Sequence, residues 1–348
     1  MNTPVVVGSA SAKVICDSIY RGSRLVSIEV DFPRPYLAEF NTHRVFSRNS
    51  ASSRAIPVWK RLEHVLDRPY VPNSFGANKA GMQAGTDLSQ VDRERTVQNW
   101  LAGRDTAVVQ AYHLIGGRAV IERETFKLSD AGRMRVAGLC DRIEALTKEY
   151  GFGSVFSALD QGLHKQHANR VLEPYTFHTV IVTSTYWRNY FGLRGSKNAQ
   201  PEAQDFGLVC AKAMMGSVPT ELQAGEWHLP YIRTEDRAEE GDELILARAS
   251  AGKCARTSYL THDGVRSLDK DVDLANDLHK NGHMSPFEHV ARPFESTDPE
   301  DSHGNFSEVW IQFRKLISGE SDFTQVVSRE ELLLGCRGDE KLVDFILS

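Results

Sequence analysis

The segment from Thr42 to Arg54 (THRVFSRNSASSR) combines cationic side chains with a run of hydroxyl and amide side chains. Short polar residues such as Asn49 and Ser52 favour a loop that exposes backbone N–H groups. Beside Arg44 and Arg54, such a loop is chemically suited to binding a phosphate group. Composition alone is nevertheless more typical of a solvated surface loop, so this segment does not establish a site by itself.

A second cluster, Gly282 to His289 (GHMSPFEH), places Glu288 between His283 and His289. Histidine and glutamate side chains bind metals. The H-E-x-x-H spacing is missing, however, and one turn rarely supplies a full ligand set. Composition therefore favours a structural turn at Ser285 and Pro286, and no metal is predicted.

A third cluster runs from Arg170 (RVLEP) through WRNYFGLR to Asn198 and Gln200. Arg194 follows an apolar stripe, and two interpretations remain open. Its side chain either enters a pocket or stabilises the negative end of a helix dipole.

These clusters need elements that position them. The alternating, β-branched segment Arg24 to Asp31 predicts a strand, and Pro33 and Pro35 predict a helix start directly after it. A polar loop is expected over 47–53. The run 171–185 is compatible with either helix or strand, whereas Asp269 to Lys280 predicts a helix that ends at Gly282.

The remaining segments indicate an α/β (α+β) fold in a single domain over 1–348, with a mixed sheet flanked by helices. We expect a long surface loop over 68–90, a helix over 88–115 and a loop over the acidic residues 233–243. Residues 116–155 are charged and partly helical, and they predict an insertion or an extended helical pair rather than a separate domain.

Composition excludes several classes of function. The net charge of −5 argues against a broad nucleic-acid or membrane surface. No run approaches the length of a membrane-spanning helix, and no signal peptide is recognisable. The five cysteines are scattered without a C-x-x-C pair, which is typical of a reducing cytoplasm, the expected location.

Together the three clusters resemble the motifs of one family, the flavin-dependent thymidylate synthases called ThyX. That family carries R-H-R, seven residues, then Ser-x-Arg; Thr42-His43-Arg44 with Ser52 and Arg54 keeps this spacing with one substitution. Its A-R-V-S and G-H-x-[ST]-P-F-E-H motifs resemble 255–258 and 282–289. Its R-x-x-x-P and N-F-L-x-L-R-x-x-x-H-x-Q motifs resemble 170–174 and 189–200.

The order of the motifs differs from that of the family, in which G-H-x-[ST]-P-F-E-H precedes R-H-R. The chain therefore resembles a circularly permuted member. Residues 306–315 resemble a second, degraded copy of the helix that leads into the R-H-R segment. If the chain is permuted, the strands near Arg24 and Val290 should be neighbours in space.

ThyX enzymes convert dUMP to dTMP; methylenetetrahydrofolate supplies the carbon, FAD carries the hydride and NADPH reduces the flavin. They are typically homotetramers whose active sites are shared between subunits. The resemblance thus implies FAD and NADPH as cofactors, methylenetetrahydrofolate as co-substrate, dUMP or a related pyrimidine nucleotide as substrate, and a homotetramer.

Residue roles follow from the same resemblance. It implies that FAD contacts His43, Arg44, Val45, Asn189, Asn198, Ser258, His283, Ser285 and Glu288. It implies that the nucleotide contacts Glu39, Ser50, Ala51, Ser52, Ser53, Arg54, Arg170 and Arg194. Arg194, Ser52 and Arg54 are the expected catalytic positions: a cation near the pyrimidine carbonyl could stabilise enolate charge, and Ser52 and Arg54 would lie at the phosphate. Ser52 is not an expected nucleophile because no general base neighbours it in the sequence.

Departures from the family pattern leave alternatives open. Thr42 stands where the family has its first Arg, Ser50 where it has Glu, and Asn198 where it has His. The N-A-R of the family aligns with 183–185 (TST). These changes keep two further hypotheses in view: a related flavin- and folate-dependent pyrimidine hydroxymethylase or other modifying enzyme, and a nucleotide- or flavin-binding protein without turnover.

Overall fold

The computed structural model describes residues 3–81, 83–259, 267–320, 322 and 327–347. The strands are β1 Val5–Val7, β2 Ala10–Tyr20, β3 Ser23–Pro33, β4 Ser47–Ser50, β5 Phe177–Ser184, β6 Thr220–Glu221, β7 Ala291–Pro293 and β8 Trp310–Gln312. The α-helices are α1 Leu37–Phe40, α2 Val58–Asp67, α3 Gln90–Leu114, α4 Gly117–Thr125, α5 Asp130–Glu149, α6 Lys165–Val171, α7 Trp187–Arg194, α8 Pro201–Met215, α9 Thr234–Glu239, α10 Glu243–Ala255, α11 Leu268–Lys280, α12 Arg329–Gly335 and α13 Glu340–Leu347.

A six-stranded sheet in the order β1-β2-β3-β5-β4 forms the centre, with β6 paired to β2. Every pairing along this order is antiparallel, and only β2 with β6 is parallel. The predicted combination of a sheet with flanking helices is confirmed. Because the pairing is mostly antiparallel, the fold is of the α+β class and not of the α/β class. The predicted strand over 24–31 is confirmed within β3.

The segment 177–184, which the sequence left undecided, is the strand β5 between β3 and β4. Val180, Ile181 and Val182 are fully buried. β-branched side chains pack well on a pleated surface that is covered on both faces. Because β5 lies between β3 and β4, it positions both of these strands, and β4 carries part of the segment Thr42 to Arg54.

The expectation of a loop over 47–53 is wrong in its first half. Ser47–Ser50 forms the strand β4, which pairs with β5 from Ser47 opposite Thr183 to Ser50 opposite Val180. Ser47 and Asn49 are buried there. The free edge of β5 provides hydrogen-bond partners for the backbone groups of Ser47–Ser50. These hydrogen bonds outweigh the preference of short polar side chains for turns. The irregular loop is confined to 51–57.

A hydrophobic core covers one face of the sheet, and it holds in place the residues that precede β4. Val26, Ile28 and Val182 pack there against Tyr190 of α7 and Phe206 of α8. The predicted helix start after β3 is confirmed: Pro33 precedes a 3₁₀ helix, Arg34–Tyr36, and then α1. Fixed proline φ angles suit this first turn.

The predicted helices over 88–115 and 116–155 are confirmed as α3 and as the pair α4 and α5. These helices share one apolar cluster with α2 and α6, including Leu62, Val108, Ile143 and Ala168. The pair therefore buries its apolar face against helices from outside 116–155. Residues 68–90 run between α2 and α3 as the expected long loop, apart from one isolated bridge; Met82 lies outside the described residues.

Helices α10 and α11 pack together and carry the second cluster. The helix predicted over 269–280 is confirmed as α11, and Gly282 follows it with a left-handed φ of 71°.

The loop expected over 233–243 is wrong in part, because Thr234–Glu239 forms α9. There Asp236 accepts a hydrogen bond from the Arg233 backbone at 2.8 Å and binds Lys253 at 2.5 Å, and acidic residues favour a helix N-terminus.

The helical copy expected over 306–315 is largely wrong. Trp310–Gln312 is the strand β8, paired with β7, and only the 3₁₀ helix Phe313–Leu316 is helical. Leu25, Ala291 and Trp310 nevertheless share one buried cluster, and Trp310 Nε1 donates to Ser23 Oγ at 3.2 Å. The chain near Arg24 and the chain near Val290 are thus neighbours through side chains, although β3 pairs only with β2 and β5.

Within the described residues, no helix combines the length and apolar character needed to cross a bilayer. The five cysteines carry free thiols, and three of them, Cys140, Cys210 and Cys254, are buried.

Candidate functional site

The strand β4 and the loop after it bring three separate motif segments together. The Ser52 N–H donates to the Ser258 carbonyl at 3.0 Å. Gln312 Nε2 donates to Ser47 Oγ at 3.1 Å and to the Glu288 carbonyl at 3.0 Å. The segments 42–54, 255–258 and 282–289 therefore meet along one edge strand, although they are far apart in the sequence.

A network of ion pairs lies at this edge, where the Glu288 carboxylate accepts a hydrogen bond from Arg314. Arg314 also binds Glu320, which in turn binds Lys315 at 2.5 Å. The charge of Arg314 is therefore balanced by two carboxylates. Arg48 lies within electrostatic range of Glu288, which opposes the lowering of the Arg48 pKa by burial.

A cationic group lies where α1 and α7 meet. The Arg194 guanidinium donates to Thr42 Oγ1 at 3.3 Å. The His43 ring is buried edge-on against Tyr190, with ring centroids 4.7 Å apart. Burial, followed by the charges of Arg194 and Arg48, lowers the pKa of His43. A neutral imidazole between two guanidinium groups follows from this arrangement.

This cationic group holds polar atoms that have no hydrogen-bond partner among the described residues. They are Nε2 of His43, Nε of Arg194 and Oε2 of Glu39, and each is buried. Buried polar atoms are normally paired, and a bound ligand is one way to pair them. Two of these atoms are nitrogens and one is a carboxylate oxygen.

The far end of the β4 loop is held by the third cluster. Ser53 Oγ donates to Glu173 Oε1 at 2.6 Å, and Glu173 binds Arg34 at 3.1 Å. Asn169 donates to the Ser53 and Ile56 carbonyls at 2.8 Å. Arg170 lies close enough for its charge to lower the Arg34 pKa, after burial as the larger cause. The exposed Arg170 side chain therefore belongs to the same end of the site.

The other expected positions are distributed around this framework. Ala51 is buried, and Ser50, Ser52, Ser53 and Ser258 are half-buried. Arg54 is exposed, and its N–H donates to Ser52 Oγ at 3.2 Å. Several expected flavin contacts are exposed: Arg44, Val45, Asn189, Asn198, His283 and Ser285. No described contact joins His283 or Asn198 to β4; Asn198 instead accepts a hydrogen bond from Gln83 through its carbonyl at 2.8 Å.

Sequence reasoning missed two residues of the framework, Gln312 and Glu173. Gln312 lies in the run that resembles a degraded copy, and nothing in its neighbours signals a contact with β4. Glu173 lies inside the R-x-x-x-P match, and an acidic side chain flanked by apolar residues in RVLEP was a usable signal. Gln312 donates to the Ser47 side chain and to the Glu288 carbonyl, and Glu173 accepts a hydrogen bond from the Ser53 side chain.

A buried hydrogen-bonded chain runs behind the site. His228 bonds Ser18 and Ser27 at 2.9 and 2.8 Å, and Ser27 bonds Thr183 at 2.6 Å. Thr183 bonds Nδ1 of His289 at 2.8 Å. Burial lowers the pKa of His228 and of His289 to about 3, so both rings are neutral. The chain ties the second cluster to the middle of the sheet.

Among the described residues, no group of three or more His, Cys, Asp or Glu side chains is arranged to hold a metal ion. Compared with known proteins, the chain matches no protein-family model and no curated protein.

Proposed function

We propose that the chain is a flavin-dependent enzyme of pyrimidine nucleotide metabolism that converts dUMP to dTMP in the manner of ThyX. The observation that carries this proposal is the meeting of 42–54, 255–258 and 282–289 along β4. The contacts bring together segments that resemble separate motifs of one family. Convergence supports a shared site, and the motif identities suggest its ligands.

The expected ligands fit the polar atoms that the site leaves unpaired. The unpaired nitrogens of His43 and Arg194 and the oxygen of Glu39 suit a flavin or pyrimidine ring. FAD, once bound, would supply the hydride chemistry, with NADPH as its reductant and methylenetetrahydrofolate as the carbon donor. Arg194 would hold the nucleotide and stabilise negative charge on its ring.

The chain's own residues divide the remaining work. Glu39, Ser50, Ala51, Ser52, Ser53, Arg54 and Arg170 would bind the nucleotide, with Ser52 and Arg54 at the phosphate. His43, Arg44, Val45, Asn189, Asn198, Ser258, His283, Ser285 and Glu288 would hold FAD. Because Arg44, Asn189 and His283 are exposed in one chain, the proposal includes a homotetramer in which neighbouring subunits complete each site.

A second candidate, a related enzyme that modifies the pyrimidine differently, is favoured by Thr42. Its hydroxyl accepts the Arg194 hydrogen bond at the position where the family carries a cation. One positive charge near the rings is therefore replaced by a neutral group, which alters the stabilisation of a developing negative charge. The circular permutation belongs to the same proposal and is supported by the packing of Leu25 against Ala291 and Trp310.

Purified protein tests the proposal directly. We expect a yellow protein whose flavin absorbance is bleached by NADPH without oxygen, and a product from dUMP and methylenetetrahydrofolate with the mass of dTMP. A hydroxymethylated product would favour the second candidate. Flavin that binds without any product would reduce the function to binding, and protein that neither binds flavin nor rescues a thymidine-requiring host would refute the proposal.

A further inference from the structure

Arg61 on α2 is a buried cation without a partner. The residue is 7% exposed, and within the described residues its guanidinium makes no hydrogen bond or ion pair. Its Nε is buried and unpaired. Burying a charge without a partner is costly, and such groups are normally paired in folded proteins.

The carboxylates around Arg61 are already bound to other arginines. Asp31 binds Arg68 at 2.8 Å, and Asp67 binds Arg142 at 2.9 Å. Glu63 binds Arg135 and Glu173 binds Arg34. Burial, followed by repulsion from Arg34, lowers the Arg61 pKa to about 10, and the charges of Glu173 and Asp31 oppose this lowering. The guanidinium therefore stays charged at neutral pH without a carboxylate of its own.

Arg61 opens into a cavity of about 310 Å³. Ala51, Ile56 and Phe177 supply its apolar wall, and Thr179 adds a hydroxyl. This volume lies at the lower end of small-molecule sites. The cavity thus offers the buried, unpaired Arg61 cation, the exposed Lys60 cation, an apolar wall and room for a small organic molecule.

We propose that this cavity binds a small organic carboxylate whose charged group pairs with Arg61 and whose apolar part packs on Ile56 and Phe177. A guanidinium binds a carboxylate through two parallel hydrogen bonds. The nearby Glu63 and Asp67 carboxylates disfavour a doubly charged phosphate.

The cavity adjoins the proposed nucleotide loop at Ala51, but it is separate from the His43–Arg194 group. Thr179 lines the cavity, whereas its neighbour Val180 packs in the core with Tyr190. Neighbouring residues of a strand point to opposite faces of the sheet. Because His43 packs against Tyr190, the cavity and the His43–Arg194 group lie on opposite faces.

Calorimetric titration of the full chain with benzoate tests this inference. We expect saturable binding with one site per chain, no binding of the neutral analogue benzyl alcohol, and weaker binding of inorganic phosphate. Arg61→Met should weaken benzoate binding by about tenfold or more, whereas Arg61→Lys should retain part of it. Arg133→Met, which changes a half-exposed arginine of α5 outside the cavity, should leave it unchanged.

Equal binding of benzoate and benzyl alcohol, no binding of benzoate, or preferential binding of phosphate would overturn the inference. Unchanged benzoate affinity in folded Arg61→Met protein would also overturn it. If Arg61→Met does not fold, the comparison of benzoate, benzyl alcohol and phosphate on the wild-type protein and on Arg61→Lys decides the matter. The flavin content of the protein is not a readout here, so failure leaves the proposed function untouched.

Discussion

The backbone N–H of Ser52 donates to the carbonyl of Ser258 at 3.0 Å, joining residues from opposite halves of the chain. Ser52 begins the loop after β4, and Ser258 lies in the 3₁₀ helix that follows α10. A backbone hydrogen bond of this kind holds two loops in a defined register whatever their side chains are. The expected nucleotide loop is thereby anchored to the helices that carry 282–289.

Replacing Arg194 with alanine should abolish nucleotide turnover. The guanidinium contacts Thr42 and keeps an unpaired, buried Nε, and loss of a positioned donor at developing charge typically costs about a hundredfold or more in rate. The measurement is product formation from dUMP at saturating cofactors. Arg188→Ala, an exposed change on the same helix α7, is the control, and comparable rates for both variants would contradict the assignment.

Ser52→Ala should leave a measurable rate, reduced by about tenfold. Ser52 Oγ accepts a hydrogen bond from the Arg54 N–H at 3.2 Å, and no base is bonded to this hydroxyl among the described contacts. The serine then serves to bind the nucleotide and not to attack it. Steady-state kinetics and equilibrium dUMP binding check this, and complete loss of rate with intact dUMP binding would refute it.

His283→Ala should reduce flavin retention without unfolding the protein. The His283 side chain is exposed, and only its backbone is tied down, through a hydrogen bond to the Leu278 carbonyl at 2.8 Å. The ratio of flavin to protein absorbance after desalting is the readout. Lys280→Ala, an exposed change at the end of α11, should retain flavin normally. An unchanged flavin ratio in His283→Ala would count against the permuted alignment.

Gly252→Ala should destabilise the protein, whereas Gly138→Ala should not. A Cβ on Gly252 would lie 2.0 Å from the Asp271 carbonyl oxygen, so α10 and α11 would have to separate. Overpacking of this kind costs about 1–3 kcal/mol. Gly138 in α5 has open space, and alanine there should stabilise the helix by about 0.5–1 kcal/mol. Urea unfolding measures the free energy of unfolding of both variants. A value for Gly252→Ala equal to that of the wild-type protein would show that α10 and α11 tolerate separation.

The free energy of unfolding should fall as the pH falls below about 6.5. His228 and His289 have pKa values of about 3 in the folded chain, against 6.5 for an ordinary histidine. The unfolded chain therefore binds protons first. The stability contributed by each neutral ring is complete above 6.5 and is lost towards pH 3, by up to about 1.4 kcal/mol per pH unit.

Urea unfolding between pH 7.5 and pH 5 measures this slope. His289→Gln should reduce it by the contribution of one proton, because glutamine does not titrate. His167→Gln, which changes an exposed histidine, should leave the slope unchanged. A slope that is the same in His289→Gln and in wild-type protein would show that His289 is not a buried neutral ring.

The sequence by itself determined the elements whose pattern is local. The alternation in β3, the prolines before α1 and the Gly282 stop after α11 each act within a few residues, so their periodicity and backbone preferences predict them. The motif spacing also located the segments that meet at the site, including Thr42 to Arg54 and Gly282 to His289.

Only the tertiary structure decided what depends on distant partners. Ser47–Ser50 is a strand because the edge of β5 accepts it, and β5 is a strand because β3 flanks it. Gln312 reaches Ser47, and Arg61 remains unpaired, through packing that no local pattern encodes. Hydrogen-bond ladders and buried charges depend on which segments come together in space, and sequence spacing alone does not contain that information.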